Sequence, residues 1–386
     1  MTGRLAVFTT HIGGVSETFV KHHIDRLMPG RTVVVAHRSS DPLGGHWSTG
    51  CPTLGLDRWS ASPFFRLAVR AGAEAGRLRD MRVARFLRAH GVTVVLGEFL
   101  DQFVSFVPLL DRLAIPYVAQ AHGIDVSAAL RAPGAAAELA AYRSAGRVLT
   151  RSEFHRQRLI SLGLSPESIC VNPGGVDVEA EDIVRDDSAG KRFLAIGRMV
   201  PKKGPVFLLE AFRRALAEDP ALTLDYVGDG PLFAAAQQFV AACGLWGSVR
   251  LHGAAPAELK FRLLKECGVF VQHSITDPET GDEEGLPAAI QEAMAFGMPV
   301  VSTRHSGIRE AVEEGVTGLL VDEGDAVGMG KAMVTLAAHL DLRIRFGQAG
   351  REKARRLYSW DAERGRLLES LDHAAARTSS AERNVA

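Results

Sequence analysis

The chain has 386 residues, more than one compact core normally holds, so two domains are expected. Lysine and arginine together number 45, as do aspartate and glutamate, and this balance argues against a general nucleic-acid binder, which needs a basic excess. The four cysteines form no CxxC pair, and no run of about 18 apolar residues occurs. We therefore expect no disulfide framework, no membrane span and a cytoplasmic location.

In the first half of the chain, short apolar runs alternate with longer amphipathic segments. The runs predicted to be buried strands are 4–9, 32–36, 92–97, 117–120 and 147–150. The segments predicted to be helices are 17–27, 63–89, 102–112, 135–144 and 153–162. This alternation predicts a parallel sheet with crossover helices.

The pattern restarts after a polar, acidic stretch, 179–190, which is predicted to be a linker. The predicted strands of the second half are 192–196, 223–227, 249–251, 269–271, 299–302 and 318–321, and the predicted helices are 206–217, 231–243, 256–266, 286–296 and 326–340. The predicted fold is therefore α/β, with two Rossmann-like, doubly wound domains. Ligands of such sheets bind at the carboxyl ends of the strands, so we expect the two domains to face each other across a cleft.

Two glutamates eight positions apart, Glu284 and Glu292, flank the start of a predicted helix. Eight residues are a little over two turns, so both can lie along one helix flank. Gly285 permits close backbone approach, and the free N–H groups of the first turn suit an anion. One carboxylate can accept hydrogen bonds from sugar hydroxyls and the other from ribose hydroxyls. An acidic helix cap followed by a solvated glutamate is the alternative interpretation.

Basic and glycine-rich loops follow several predicted strands. Arg198 and Lys203 lie in GRMVPKKG, where a guanidinium fork and an ammonium group suit a diphosphate; a solvated basic turn is the alternative. Gly13 and Gly14 form a turn between a strand and a helix, but without the GxGxxG pattern of a nicotinamide site. His122 also follows a strand, which would place it at the cleft unless its role is structural.

Together these motifs resemble glycosyltransferase family 4, whose members are retaining enzymes of the GT-B fold. Segment 284–303 is similar to the E-x7-E signature of that family and its continuation, EAMAFGMPVVST. The other matching segments are GGVSETF (13–19), HGIDVS (122–127), NPGGVD (172–177), GRMVPKKG (197–204) and GDGPL (228–232). The resemblance spans residues 7–360 and is greatest to the branch that builds bacterial exopolysaccharides of the colanic-acid type. His273 and Arg309 stand where the family often has proline.

The resemblance implies a role for each candidate residue. The implied donor-binding residues are Gly13, Gly14, Arg198, Lys203, Gly285, Leu286 and Glu292, and the implied catalytic residues are His122 and Glu284. Arg198 and Lys203 would bind the diphosphate of a UDP-sugar or GDP-sugar, and Glu292 would bind its ribose. The loop after Arg198 is compact compared with that of some family members, which leaves Lys202 open as the alternative to Lys203. Glu284 would hold the hydroxyls of the donor sugar, and His122 would lie over that sugar.

The resemblance also implies a division of labour along the chain. Residues 1–180 would form the acceptor-side domain and 190–357 the donor domain, with a helix over 358–372 that returns to the first domain and a flexible tail over 373–386. The implied activity is hexosyl transfer, with retention, to a carbohydrate or lipid-linked acceptor. No cofactor is expected. No metal is expected either, because the chain has no Asp-x-Asp pair and its basic residues can supply the counter-charge.

Other functions fit the same fold. A nucleotide-sugar epimerase or a sugar phosphorylase would use similar domains, and a bilobed solute-binding protein would also close two α/β domains over a ligand, although such proteins normally carry an export signal. Within a transferase, Glu17, Glu98 and Asp101 stay open as bases for an inverting mechanism.

Residues 61–90 contain seven arginines and only two acidic residues. Several of the arginines share a helix flank, because they are spaced three or four positions apart. One interpretation is a crossover helix with a solvated basic face. The other is a surface over 63–90 that contacts an anionic lipid leaflet or a pyrophosphate-linked lipid acceptor at the inner face of the membrane. Gly72 and Gly76 are expected to weaken this helix.

Overall fold

The computed structural model describes residues 3–14, 17–41, 47–70, 74–178, 183 and 187–383. The chain divides into two compact units. The first comprises Met1–Arg151, His155–Asn172 and Arg364–Ala386, and the second comprises Ser152–Phe154 and Pro173–Glu363. No helix among the described residues is long and apolar enough to cross a membrane.

The described residues of the first unit form a parallel sheet of seven strands. They are β1 (Arg4–His11), β2 (Thr32–Arg38), β3 (Thr53–Gly55), β4 (Val92–Glu98), β5 (Tyr117–Gln120), β6 (Arg147–Thr150) and β7 (Ile169–Val171), in the spatial order β3-β2-β1-β4-β5-β6-β7. The order reverses beside β1, as in doubly wound sheets. Strands β3 and β7 have only three residues each, too few to show a pattern in the sequence.

Helices cover this sheet. They are α1 (Thr18–His22), α2 (Leu56–Ser60), α3 (Pro63–Arg70), α4 (Ala75–Ala89), α5 (Leu100–Phe103), α6 (Val107–Arg112), α7 (Ala135–Glu138) and α8 (Glu153–Ser161), with a π-helical turn over His23–Leu27 and 3-10 turns over Val104–Phe106, Ile124–Val126, Ala128–Arg131, Leu139–Ser144 and Pro166–Ser168. Phe8 on β1 packs edge to face against Phe103 and Phe106, which anchors the segment after β4. The helix predicted over 63–89 is divided between α3 and α4, and residues 71–73 between them lie outside the described ranges.

The described residues of the second unit form a parallel sheet of six strands. They are β8 (Arg192–Ile196), β9 (Thr223–Val227), β10 (Val249–Gly253), β11 (Val269–Val271), β12 (Val300–Thr303) and β13 (Gly318–Val321), in the order β10-β9-β8-β11-β12-β13. The helices in this half of the chain are α9 (Pro205–Glu218), α10 (Phe233–Ala242), α11 (Ala257–Glu266), α12 (Ala288–Ala295), α13 (Ile308–Ala311), α14 (Ala326–Ala338), α15 (Leu340–Leu357) and α16 (Trp360–Arg383), with 3-10 turns over Ser188–Lys191 and Pro201–Lys203. Two doubly wound sheets confirm the predicted α/β fold.

The last helix, α16, continues to Arg383, well past the end near residue 372 that the sequence predicted. From Arg364 onward it groups with the first unit. Leu371 and Ala374 are buried in the same apolar cluster as Val7 of β1. Alanine has the highest helix propensity, and residues 374–376 are alanines. Together with the burial of Ala374, they stabilise the helix in a region that the small, polar composition had assigned to a tail. The predicted linker, 179–190, lies mostly outside the described residues.

Candidate functional site

In the second unit, the loop between β8 and α9 is held against the loop that follows β9. The N–H of Gly197 donates to the carbonyl of Val227 (3.0 Å), and the N–H of Met199 donates to the carbonyl of Asp229 (2.8 Å). Gly228 has φ 151°, and a Cβ there would lie 1.9 Å from the carbonyl oxygen of Gly197. The GDGPL segment therefore packs directly against the basic loop, residues 197–204. Only glycine at position 228 allows so close an approach.

The basic loop meets the first glutamate of the E-x7-E segment. Nζ of Lys203 lies 3.0 Å from Oε2 of Glu284. Nζ of Lys202 lies 3.7 Å from Oε1 of Glu284 and 2.9 Å from a carboxylate oxygen of Asp282. Burial by itself would raise the pKa of Glu284, but the charges of Lys203 and Lys202 outweigh it and lower that pKa to about 2. Glu284 is thus an ionised acceptor at neutral pH.

The backbone of Glu284 is fixed by a histidine and a second glutamate. The N–H of Glu284 donates to Nε2 of His305 (3.1 Å). Nδ1 of His305 lies 2.6 Å from Oε1 of Glu323, whose other oxygen accepts from the N–H of Thr276 (2.9 Å). Because Nε2 accepts a hydrogen bond, the proton of a neutral imidazole is assigned to Nδ1, which donates to Glu323. Sequence analysis missed His305 and Glu323, although each closely follows a predicted strand.

Helix α12 begins at Ala288, so Glu284 and Gly285 precede it and Glu292 lies in its second turn. Oε1 of Glu292 lies 2.9 Å from Nζ of Lys260 on α11. A Cβ on Gly307 would lie 2.0 Å from the carbonyl oxygen of Gly285, so the segment after β12 presses closely on this loop. Leu286 is buried in the apolar cluster of the second unit that contains Val300 and fixes the path of the loop into α12.

Arg198 differs from the two lysines in its surroundings. Its side chain is exposed, and among the described residues no carboxylate pairs with it. It is close enough for its positive charge to contribute to lowering the pKa of Lys203, after the larger effect of burial. Within the described part of the chain, the guanidinium of Arg198 is therefore available to bind an anion at this edge of the second sheet.

In the first unit, Gly13 and Gly14 follow β1 directly. Gly13 has φ 98°, and a Cβ on Gly14 would lie 2.7 Å from Nε2 of His11. The carbonyl of Gly14 accepts from Nε1 of Trp47 (2.9 Å). The turn therefore has the tight backbone that its glycines predicted, while residues 15 and 16 of the GGVSETF segment lie outside the described ranges.

His122 follows β5 in the first unit and is held on several sides. Its N–H donates to Oδ1 of Asp125 (2.8 Å), and its Nε2 lies 2.7 Å from Oε2 of Glu98. The rings of Phe19 and Phe99 each lie 4.5 Å from the imidazole, centroid to centroid. The other carboxylate oxygen of Glu98, the last residue of β4, lies 2.7 Å from Nδ1 of His23.

The two departures from the family pattern have structural explanations. His273 is buried, stacks on Phe207 with 5.0 Å between ring centroids, and accepts from the N–H of Gly324 (3.1 Å). Burial lowers the pKa of His273 to about 4, so the ring is neutral. Arg309 donates from Nε to the carbonyl of Arg304 (2.6 Å).

Each unit thus gathers its own predicted residues. In the second unit, Lys203, Glu284 and the Gly285 backbone share one edge of the sheet with Arg198. In the first unit, His122 lies between the buried carboxylates of Glu98 and Asp125 and two half-buried phenylalanine rings. Among the described residues, no group of three histidine, cysteine, aspartate or glutamate side chains could hold a metal ion.

Two doubly wound units, with a basic loop and an E-x7-E segment at the carboxyl edge of the second, define the class of GT-B glycosyltransferases. The family model described as Glycosyltransferase Family 4 matches residues 13–180, and the model described as Glycosyl transferases group 1 matches residues 179–353. The chain belongs to glycosyltransferase family 4, as its motifs predicted.

Similar proteins include enzymes of bacterial polysaccharide synthesis. The chain is 30% identical over 314 residues to the putative colanic acid biosynthesis glycosyltransferase WcaL of Escherichia coli, covering 80% of this chain and 74% of WcaL. It is 34% identical over 192 residues to the amylovoran biosynthesis glycosyltransferase AmsK of Erwinia amylovora, covering 49% of this chain and 47% of AmsK. The match thus spans about half the length of AmsK. The crystal structure of Anabaena HepE in complex with UDP has the same fold, with a TM-score of 0.72, 18% identity, and coverage of 96% of this chain and 99% of HepE.

Proposed function

We propose that this protein is a retaining hexosyltransferase that takes a sugar from a nucleotide-diphosphate donor and transfers it to a hydroxyl of a carbohydrate or lipid-linked acceptor in polysaccharide synthesis. The observation that carries the proposal is the ion pair between Lys203 and Glu284 beside the exposed guanidinium of Arg198. This arrangement offers positive charge for a diphosphate and an ionised acceptor for sugar hydroxyls at one edge of one sheet.

The donor would be bound by the second unit. Arg198 can form two parallel hydrogen bonds to phosphate oxygens, and Lys203 adds a point charge. Both stabilise the negative charge that develops on the leaving diphosphate, which is the largest single contribution in many group transfers. Glu292 on α12 would accept from the ribose hydroxyls. HepE is described in complex with UDP, so UDP-sugars are the first donors to test.

Retention is supported by the state of Glu98, one of the three first-unit carboxylates, with Glu17 and Asp101, that could act as an inverting base. Both oxygens of Glu98 lie 2.7 Å from histidine nitrogens, and the residue is 1% exposed. A carboxylate that is buried and doubly bonded in this way is a poor base for an incoming acceptor hydroxyl. We therefore propose attack from the face of the leaving group, with the departing phosphate taking the proton of the acceptor.

A panel of nucleotide sugars tests this function. The purified protein is incubated with each UDP-sugar and GDP-sugar, with and without candidate acceptors, in buffer containing excess EDTA. We expect release of nucleoside diphosphate that depends on the acceptor, and a product whose anomeric configuration, determined by NMR, matches that of the donor. Isomerisation of the donor without acceptor would indicate an epimerase, and cleavage of a glycoside by added inorganic phosphate to give a sugar 1-phosphate would indicate a phosphorylase. Activity that EDTA abolishes and Mg²⁺ restores would contradict the metal-independent mechanism.

We also propose peripheral contact of the first unit with an anionic membrane. On α3, Leu67 is 67% exposed between the exposed Arg66 and Arg70, and on α4 Met81 is 63% exposed beside the exposed Arg82. Apolar side chains that point into solvent next to arginines suit the boundary between headgroups and acyl chains. A lipid-linked acceptor would be reached from such a surface.

A further inference from the structure

A buried carboxylate bridges two imidazoles in the first unit. Oε1 of Glu98 lies 2.7 Å from Nδ1 of His23, and Oε2 lies 2.7 Å from Nε2 of His122. The strands explain the meeting: Glu98 ends β4, its register partner Gln120 ends β5, and His122 follows two residues later. His23 reaches the same point from the start of the π-helical turn, and it is 1% exposed.

The hydrogen bonds fix which nitrogen of each histidine carries a proton. Burial by itself would raise the pKa of Glu98, but the charge of His23 and the hydrogen bonds from both histidines lower it to about 2. An ionised carboxylate only accepts hydrogen bonds, so Nδ1 of His23 and Nε2 of His122 must both be donors. The other nitrogen of His122, Nδ1, has no hydrogen bond to any residue that the structure describes.

The neighbouring backbone also holds the ring of His122. Phe99, directly after Glu98, has φ 64°, a left-handed conformation that is costly for a bulky residue. Its N–H donates to the carbonyl of Gln120 (3.0 Å), and its ring lies 4.5 Å from that of His122. Phe19 packs against the same imidazole, also at 4.5 Å between centroids. The strained backbone of Phe99 lies directly beside the buried Glu98–histidine network. We take this to indicate that one orientation of the His122 ring is required.

We propose that Glu98, held in turn by His23, is a positioning residue that keeps His122 protonated at Nε2 and leaves Nδ1 to accept a hydrogen bond from a sugar hydroxyl. This inference rests on the proposed transferase function, because it gives His122 a sugar partner. The arrangement resembles other buried acid–histidine pairs in one respect: the acid selects the tautomer and orientation and takes no part in bond making.

The tautomer is measured directly on the wild-type protein. Histidine is labelled with ¹⁵N, the signals of His122 are assigned by their loss in His122→Gln, and long-range ¹H–¹⁵N spectra report which nitrogen is protonated. We expect the Nε2–H form for His122 and a proton on Nδ1 of His23. An Nδ1–H form of His122 would overturn the proposal whatever the activity of the protein, so this result is independent of the proposed function.

Activity then separates positioning from folding. In Glu98→Gln the amide can accept from only one imidazole, so we expect kcat to fall on the order of 10- to 100-fold while the dissociation constant of the donor nucleotide is unchanged. Glu98→Asp, which keeps the charge, should recover part of the lost kcat. Glu138→Gln, an exposed change on α7, is the control and should behave as wild type. Wild-type kcat in a folded Glu98→Gln variant would contradict the proposal, and so would equal losses in the Gln and Asp variants.

Discussion

Nζ of Lys203 lies 3.0 Å from Oε2 of Glu284, and this ion pair joins the loop after β8 to the segment that precedes α12. Either charge alone would be costly to bury, because burial by itself would raise the pKa of Glu284 and lower that of Lys203. Together they hold an ammonium group and a carboxylate ready at one edge of the sheet. Sugar and phosphate recognition would then share one preorganised pair.

Replacement of Glu284 by glutamine is expected to separate sugar handling from nucleotide binding. The amide keeps the shape of the side chain but removes the charge that pairs with Lys203. We expect transfer to fall by at least about 100-fold, while UDP or GDP binds with similar affinity, because the diphosphate partners remain. Calorimetric titration with the nucleoside diphosphate, beside a transfer assay, measures both quantities. Equal losses of nucleotide affinity and turnover would assign Glu284 to the phosphates instead.

Replacement of Arg198 by alanine is expected to lower turnover on the order of 100-fold, because one preorganised donor to the leaving phosphate is lost. Its exposed side chain has no ion pair within the described ranges, so the fold should not change. Arg262→Ala is the matched control, since that arginine is exposed on α11 and its ion pair with Glu266, at 3.9 Å, lies away from the site residues. Near-wild-type turnover in Arg198→Ala would remove this residue from the donor site.

His305 offers a test of how the loop before α12 is held. In His305→Phe the N–H of Glu284 loses its acceptor, and Glu323 loses the partner at 2.6 Å. We expect the Michaelis constant for the donor sugar to rise and kcat to fall. The free energy of unfolding should decrease by about 1–3 kcal/mol, because the N–H of Glu284 is left without an acceptor. His339→Asn, an exposed change at the end of α14, is the control. Unaltered kinetics in a folded His305→Phe protein would show that the loop keeps its position without this hydrogen bond.

Much of the fold was predictable from the sequence because strands and helices alternate with clear hydrophobic periods. The observed β8 (Arg192–Ile196) and β9 (Thr223–Val227) match the predicted bounds. Helix α15 was missed because its exposed face is rich in charge and its buried positions include Gly347 and Gly350, which carry no apolar signal.

The individual site residues could likewise be predicted where a local motif marks them, as at Glu284. The residues that hold those side chains in place could not be predicted. His305 and Glu323 lie in the loops that follow strands β12 and β13, and His23 reaches Glu98 across 75 positions of sequence. Such contacts depend on which strands become neighbours in the sheet. Spacing along the chain does not contain that information.

The buried imidazole of His273 predicts how stability depends on pH. Its pKa is about 4 in the folded protein and near 6.5 when the chain is unfolded, so the unfolded state binds more protons between these values. Stability from this residue is therefore complete above pH 6.5 and is lost as the pH falls toward 4. In His273→Gln, which can still accept from Gly324, we expect a flatter dependence, with a difference on the order of 3 kcal/mol across that range. Urea unfolding of both proteins at pH 7.5 and pH 4.5 measures this difference. If the free energy of unfolding changes equally in wild type and variant between the two pH values, the imidazole is not buried in its neutral form.

Membrane contact by α3 and α4 is tested with vesicles. Each basic group near an anionic surface contributes about 1 kcal/mol at low salt, so a few arginines suffice for reversible binding. We expect wild-type protein to sediment with phosphatidylglycerol vesicles at low salt and to dissociate from them as the salt concentration rises. It should not sediment with phosphatidylcholine vesicles. The variant with Arg82, Arg85 and Arg88 changed to glutamate should stay in the supernatant. A control with the exposed Arg250, Arg262 and Arg345 of the second unit changed to glutamate has the same net charge. If both triple variants lose binding equally, net charge and not this surface governs the contact, and if wild type never sediments, the arginines form a solvated face of the crossover helices.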